Sequence, residues 1–288
     1  YFSAELFRSI SADPNPQGLG IVEQSCDEFF PKKSFLSRKQ AFHPGSYAIS
    51  EKPLKITAED KIIFSVMIYP TLQCANSQSI IEFGQFCLNL NTEGKVVFVS
   101  DAGSVTSSNS VSLRRWQRVE AQITKLGQIS ISLGSLDGSD TFKPTFKQLN
   151  LELDLSQNAS VVIAGKLNGD AITNCFNGKI EQPEIYKGSN SFASWDFSRN
   201  ISSMTVPGNG CPNLKLINAP TRAVTGAFWD ASEMNWQHKP EHYASIAFHE
   251  DDIYDFNWEP DFSFVIPSNM PSGIYIMRIS CGDDYDAM

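Results

Sequence analysis

The densest cluster of chemically active side chains in this sequence is the run His249, Glu250, Asp251 and Asp252. Carboxylates suit Ca²⁺ or Mg²⁺ and an imidazole suits iron or zinc, so His249, Asp251 and Asp252 are candidate metal ligands. The alternating apolar residues at 244–248 predict a strand, however, and successive side chains of a strand point to opposite faces. Four neighbours therefore cannot converge on one ion, and the competing interpretation is a strand end whose acids accept backbone N–H groups in a turn.

This acidic run needs charge compensation in either interpretation. Neighbouring carboxylates repel one another and raise one another's pKa values unless a cation or hydrogen-bond donors lie nearby. Arg222 and Arg278 are the candidate cations in the same part of the sequence. We expect the surface that carries residues 249–252 to be solvent-exposed in this chain and to face a further domain.

Four aromatic residues form a candidate binding surface, because flat aromatic rings can stack on sugar rings. They are Trp229, Trp236, Tyr254 and Trp258. Tryptophan is more often a partly buried core or interface residue, which is the competing interpretation.

Calcium-assisted carbohydrate binding would need acids at the loop rim of a β-sandwich. Asp101, Asp137 and Asp140 lie in polar loops and are the candidates, with calcium as the corresponding cofactor. Asp-Gly and Ser-Asp pairs are also ordinary turn residues, so turns without a ligand are the competing interpretation.

Patterns of hydrolytic chemistry are weak in this sequence. It contains no Gly-x-Ser-x-Gly turn, no phosphate-binding glycine loop and no cysteine with a neighbouring histidine. A glycosidase would need two carboxylates, and Glu181 and Glu184 share one predicted strand. A spacing of three puts these two side chains on opposite faces of a regular strand, which argues against a nucleophile and acid pair. We therefore assign no catalytic residue to this chain.

The elements that would position these residues are strands. Short alternating apolar runs broken by Gly, Asn, Asp and Ser predict strands at 61–70, 79–83, 85–90, 95–100, 116–123, 129–133, 149–153, 161–164, 178–185, 221–228, 243–248, 262–266 and 273–279. No helical pattern competes with them apart from a turn near residues 240–243. Tight polar loops between so many strands indicate an all-β fold, an antiparallel jelly-roll sandwich with a second, smaller β-rich domain.

A stretch rich in Gly, Ser and Asn at 186–191 has the composition of a domain boundary. The expected organisation is an N-terminal β arm at 1–50, a jelly roll at 51–188 and a smaller β-rich domain at 189–288. We expect the last two to have separate cores that meet near residues 188–191. The start at Tyr1, without an initiator Met, suggests a processed or trimmed piece of a longer protein.

Composition excludes several classes of protein. With 41% hydrophobic and 19% charged residues the chain is not intrinsically disordered. The net charge of −9 argues against a nucleic-acid partner, and no apolar run reaches the ~18 to 20 residues of a membrane helix. Six scattered cysteines favour free thiols in a cytoplasmic protein over a disulfide scaffold.

Several separated motifs together resemble the large (β) subunit of the N,N-dimethylformamidase family, in the family's order. They are residues 12–20 (ADPNPQGLG), 43–47 (HPGSY), 116–120 (WQRVE), 176–186 (FNGKIEQPEIY), 195–197 (WDF), 218–224 (NAPTRAV), 247–255 (AFHEDDIYD) and 272–275 (SGIY). The motifs at 116–120 and 176–186 are similar to the penultimate and closing strands of a laminin-G or concanavalin A-like jelly roll. In one departure, Glu250 stands where the family favours Asp.

The resemblance implies that the parent protein hydrolyses small amides at an iron held by two tyrosines and a glutamate. That iron lies in a C-terminal domain resembling glutamine amidotransferases, which begins after the strand corresponding to 273–279. No catalytic or iron-binding residue of the family can therefore be transferred to this sequence, and no resident cofactor is expected within it apart from the calcium considered above.

The predicted function is the non-catalytic N-terminal portion of a dimethylformamidase-like amidohydrolase subunit. Its β domains would wall the substrate site and carry oligomer contacts, and the piece alone would be inactive. The resemblance implies the C-terminal domain of the same chain and a small helical subunit as partners. The alternative function is a carbohydrate-binding, lectin-like module.

Overall fold

The structure is a computed structural model that describes residues 2–9, 19–20, 45–57, 60–73, 76–136, 138, 144–169, 171–250, 265–271, 273–281 and 284–287. The chain divides into two compact units by its internal contacts. The smaller unit is Tyr1–Phe42 together with Asp255–Met288, and the larger unit is His43–Tyr254.

Regular structure in both units is almost entirely β. In chain order the strands are β1 (Phe2–Ser9), β2 (Leu19–Gly20), β3 (Tyr47–Ser50), β4 (Leu54–Ile56), β5 (Lys61–Pro70), β6 (Gln78–Phe83), β7 (Phe86–Leu90), β8 (Lys95–Ser100), β9 (Gly103–Ser110), β10 (Gln117–Thr124), β11 (Gln128–Ser135), β12 (Thr145–Gln148), β13 (Gln157–Ala159), β14 (Val161–Ile163), β15 (Lys166–Asn168), β16 (Ala171–Thr173), β17 (Gly178–Lys187), β18 (Asn190–Trp195), β19 (Thr205–Val206), β20 (Gly208–Asn209), β21 (Leu214–Ile217), β22 (Thr221–Val224), β23 (Ser245–Phe248), β24 (Tyr275–Cys281) and β25 (Asp284–Ala287). The predicted turn before β23 is a 3₁₀ helix at Pro240–Tyr243. Among the described residues, no helix has the length and apolar character of a membrane span.

The larger unit is a sandwich of two antiparallel sheets. The first sheet has the strand order β19-β21-β3-β14-β6-β7-β8-β9. The second, called the β5 sheet here, has the order β12-β11-β10-β5-β17-β18-β20, with β23 beside β17 and β22 beside β23. The ring of Phe64 on β5 lies 5.9 Å from that of Phe86 and 5.5 Å from that of Phe98, centroid to centroid, across the two sheets. One apolar core therefore joins the sheets, and the predicted all-β sandwich is confirmed.

The period-two pattern of β5 explains how that core forms. Ile62, Phe64, Val66 and Ile68 alternate along the strand, are at most 1% exposed and belong to one core cluster. Because alternate residues share a face, one regular strand delivers all four side chains to the interior. Burial of each contributes roughly 1.5–3 kcal/mol relative to an exposed position.

The core contains residues from both sides of the expected domain boundary. Trp195, Leu214 and Ile246 come from the segment expected to form its own domain, yet they lie in the same cluster as Phe64. Residue 188 lies in the tight turn of the β17–β18 hairpin. The prediction of separate cores meeting at 188–191 is wrong, because the strands after residue 188 complete both sheets.

The smaller unit pairs the two ends of the described chain. Its sheet has the order β2-β1-β24-β25, and β1 and β24 are antiparallel from Phe2 opposite Cys281 to Arg8 opposite Tyr275. The predicted strand at 273–279 is therefore present as β24. Residues 1–50 do not form one arm, because β1 belongs to this unit and β3 belongs to the sandwich.

Two other differences from the sequence expectations have simple causes. The segment 149–153 is not a strand, because the N–H groups of Leu149 and Leu153 bond to the loop carbonyls of Gly127 and Lys125. Strand β9 was not predicted, because its composition of Ser, Thr and Asn is that of a loop. Residues 262–264 of the strand predicted at 262–266 lie outside the described residues, and the remaining two are not in a strand.

A bulge in β17 changes which side chains share a face. The register between β17 and β5 shifts between Glu181 and Glu184. Glu181 pairs with Met67, and Glu184 pairs with Ser65, which lies two residues earlier on the same face of β5. The prediction of opposite faces for the two glutamates is wrong, because the bulge adds a residue to the count. Pro183 is the sequence signal, since proline inside a strand is confined to edges and bulges.

Candidate functional site

The backbone at the predicted metal site is tied to the start of the larger unit. Ser46 N donates to His249 O at 2.7 Å, and His249 N donates to Ser46 Oγ at 3.0 Å. Glu250 N donates to Asn177 Oδ1 at 2.9 Å. His249 and Glu250 are half-buried, whereas a solvent-exposed surface was expected. This strand end is therefore a structural junction between segments far apart in the sequence.

Gly45 sits at the centre of the same junction. Its φ of 85° is in the left-handed region, and an added Cβ would lie 2.6 Å from Cys175 Cβ and 3.0 Å from His249 O. Asn218 Nδ2 donates to Gly45 O at 2.8 Å. Four of the motifs that carried the family resemblance, HPGSY, FNG with its preceding cysteine, NAP and FHE, thus meet in one place.

Burial controls the electrostatics of this junction. Desolvation, with the negative charge of Glu250 added, raises the pKa of the Cys175 thiol to about 12. Burial and the neighbouring Cys175 also raise the pKa of Tyr47. Cys175 is therefore protonated at neutral pH, and a protonated thiol is a poor nucleophile.

The structure describes only part of the predicted metal site. Asp251 and Asp252 lie outside the described residues, so the ligand set of His249, Asp251 and Asp252 stays a prediction. Within the ranges that the structure describes, no group of three or more His, Cys, Asp or Glu side chains is placed to hold a metal ion. Of the candidate calcium acids, Asp101 is exposed in the turn between β8 and β9, and Asp137 and Asp140 are outside the described residues.

Arg222, an expected cation for the acidic run, serves another part of the sandwich. Its guanidinium donates four hydrogen bonds of 2.8–3.0 Å to the backbone oxygens of residues 197, 199, 200 and 203. Desolvation lowers its pKa. Arg222 therefore fixes the turn that follows β18. Arg278, the other candidate, belongs to the smaller unit.

Two of the four predicted aromatic residues lie in one loop between β22 and β23, residues 225–244, called the cover loop here. Trp229 is half-buried, and its Nε1 donates to Glu233 O at 3.2 Å, an oxygen that Tyr243 Oη also reaches at 2.9 Å. Trp236 is half-buried as well. Tyr254 and Trp258 lie outside the described residues, so the four-residue surface stays a prediction.

The cover loop is closed on itself by polar contacts. Gly226 N donates to His242 O at 2.8 Å, which joins its two ends. His242 is buried, with Nδ1 3.3 Å from Asp230 Oδ1. Hydrogen bonds from Ser232, and then the charges of His242 and Lys239, lower the pKa of Asp230 to about 2. The loop is thus a folded unit and not an open connection.

The site that sequence reasoning missed is the carboxyl of Glu181, which faces this loop. Glu181 is 1% exposed, and its Oε2 accepts a hydrogen bond of 2.6 Å from Ala227 N. Its Oε1 is buried and has no hydrogen-bond partner among the described residues. A Cβ added to Gly226 would lie 2.6 Å from Oε2, so only glycine allows so close an approach.

The charge state of Glu181 follows from this burial. Desolvation raises its pKa to about 7 and Asp196 adds to the rise, whereas the Ala227 N–H and Lys179 oppose it. Lys179 Nζ itself donates to Thr225 O at 3.0 Å and to Thr225 Oγ1 at 2.9 Å. Lys179 and Glu181, two residues apart on β17, therefore both bind the start of the cover loop.

Comparisons with known proteins identify relatives of this chain. Residues 221–288, which include β22, the cover loop and β23, match the family described as N,N-dimethylformamidase beta subunit-like, C-terminal. The N,N-dimethylformamidase β subunit of an Alcaligenes species is 28% identical over 339 aligned residues, covering 99% of this chain and 44% of that relative. The β subunit from Paracoccus aminophilus is 26% identical with the same coverage.

The chain is similar in sequence to N,N-dimethylformamidase β subunits. This confirms the resemblance predicted from the motifs, and residues of four of those motifs meet at the junction around Gly45. The chain spans less than half the length of these dimethylformamidase β subunits.

Among solved structures, the LG1-3 region of the laminin α2 chain is similar with a TM-score of 0.39 and 20% identity, covering 51% of this chain and 31% of that chain. The fold class follows from the strand pairing described above and not from this likeness.

Proposed function

We propose that this chain is the non-catalytic N-terminal portion of a dimethylformamidase-like amidohydrolase subunit. The observation that carries the proposal is the similarity that runs along 99% of this chain but only 44% of the dimethylformamidase β subunits. The proposal assigns amide hydrolysis to the rest of the parent protein, which corresponds to the part of the relatives that this chain does not match.

The contacts of the candidate site residues support a structural role. His249 and Glu250 use their backbone groups to join Ser46 and Asn177, and Arg222 fixes a turn. The described residues do not bring together a group that would hold iron. Under the proposal the iron belongs to the C-terminal amidotransferase-like domain, and the sandwich supplies a rigid wall beside it and contacts to other subunits.

The test compares the 288-residue chain with its full-length parent. We expect dimethylamine release from dimethylformamide by the parent, together with bound iron, and none by the 288-residue chain above a buffer control. Chelator-sensitive release by the 288-residue chain would contradict the assignment of catalysis to the remainder. An inactive, iron-free parent would contradict the amidohydrolase itself.

The carbohydrate-binding alternative is tested on the same material. A parent reading frame with several hundred further residues of Rossmann-like pattern favours the amidohydrolase. A frame that ends at Met288, with glycan binding that Trp229→Ala or Trp236→Ala abolishes, favours the lectin-like module.

A further inference from the structure

The start of the cover loop is held to β17 by two ionisable side chains. Lys179 Nζ bonds to Thr225, and Glu181 Oε2 accepts the N–H of Ala227 at 2.6 Å. Gly226 N donates to His242 O and so joins the two ends of the loop. The contact of Glu181 with Ala227 lies next to this point. A change at this carboxyl therefore acts where the loop joins the sheet.

The carboxyl of Glu181 has few charged neighbours. Lys179 on its own strand favours the ionised form, and Asp196, just after β18, disfavours it. Its cross-strand neighbours are Met67 on β5 and Ser245 on β23, neither of which titrates. From the cover loop, Oε2 accepts the backbone N–H of Ala227, while Oε1 has no donor among the residues described. An ionised carboxylate in this place is poorly solvated.

We propose that Glu181 is a proton-linked latch of the cover loop. When the carboxyl is protonated the loop closes over it, and when it is ionised the loop opens so that water solvates both oxygens. This inference goes beyond the proposed function, because it concerns the sandwich alone and holds whether or not the parent hydrolyses amides.

The direction of the pH effect on loop closing follows from proton linkage. The pKa of Glu181 rises from 4.5 to about 7 in the closed form, so the closed form binds a proton that the open form releases. Closing is therefore favoured below pH 4.5 and is progressively lost as the pH rises through 7. Between pH 5.5 and 8 the opening equilibrium should increase roughly 25-fold.

Hydrogen exchange measures this opening directly. Amide protection of residues 226–243, corrected for intrinsic exchange rates, should fall roughly 25-fold from pH 5.5 to pH 8 in the 288-residue chain. Glu181→Gln should remove the pH dependence. The matched control Glu120→Gln, an exposed acid on the same sheet, should behave like the unmodified chain. Equal protection at both pH values, or an unchanged pH dependence in Glu181→Gln, overturns the proposal.

A second measurement keeps the test independent of any variant's folding. The ¹³C carboxyl resonance of Glu181 in the unmodified chain should titrate near pH 7, together with the amide resonance of Ala227. Titration near the ordinary value of 4.5 would show that the carboxyl is already solvated, and the latch would be refuted.

Discussion

The two faces of the β5 sheet are held by different kinds of interaction. On the inner face, Phe64 packs against Phe86 and Phe98 of the opposite sheet, and this contact involves no polar group. On the outer face, the cover loop is held through a buried carboxyl and an ammonium, with Glu181 contacting Ala227 and Lys179 contacting Thr225. Apolar burial is tolerant of geometry and independent of pH, whereas the polar contacts fix one position of the loop and make it sensitive to protons.

The inner face should give the largest effect on stability. Phe64→Ala removes a ring that is 1% exposed and leaves a cavity between the sheets, so we expect a loss of about 3–5 kcal/mol in the free energy of unfolding. Denaturant unfolding at one pH measures it. Phe146→Ala, where the side chain is 63% exposed, is the control and should change stability by less than about 0.5 kcal/mol. Similar losses in both variants would mean that Phe64 is not part of a packed core.

The outer face should make stability depend on pH. In the folded protein Glu181 holds a proton that the unfolded chain releases between pH 4.5 and about 7, so this group's contribution falls as the pH rises through that window. The full shift corresponds to about 3 kcal/mol. The free-energy difference between Glu181→Gln and the unmodified chain should therefore grow from pH 5 to pH 8. A difference that stays constant with pH would show that the carboxyl has an ordinary pKa.

The turn after β18 offers an intermediate case, in which one charged side chain, Arg222, donates hydrogen bonds to backbone oxygens. Arg222→Lys keeps the charge, but an ammonium cannot match the planar fork that donates to four carbonyl oxygens. We expect a loss of about 2 kcal/mol in the free energy of unfolding, since hydrogen bonds to charged groups contribute about 1.5–3 kcal/mol each and some would survive. Arg199→Lys, at an exposed neighbour, is the control and should be close to neutral. Equal stability of both variants would contradict the role assigned to Arg222.

The contrast between the two faces also explains what could be predicted from the sequence. The strand at 61–70 was predicted at its observed limits, because period-two alternation and burial on one face report the same physical fact. The outer face depends on a register shift at Glu181 and on a loop that returns from residues 225–244, and neither leaves a periodic signal. Pro183 marked the bulge, but the partner of the buried carboxyl is a backbone N–H, which any residue at position 227 other than proline would offer.

The smallest effect should come from inside the cover loop, and it should stay local. Trp229→Phe keeps an aromatic ring but removes the indole N–H that donates to Glu233 O, so we expect about 1 kcal/mol less stability for the closed loop. Tyr243 Oη donates to the same oxygen, so the carbonyl keeps a partner and the loss should not be larger. Because Phe64 and the other core residues are untouched, exchange protection should fall about fivefold in residues 226–243 and stay constant in β5 and β10. Phe228→Ala, at an exposed position in the same loop, is the control and should leave protection of both regions unchanged. Loss of protection in β5 as well would show that the loop and the sandwich unfold together and that the two faces of the sheet are one cooperative unit.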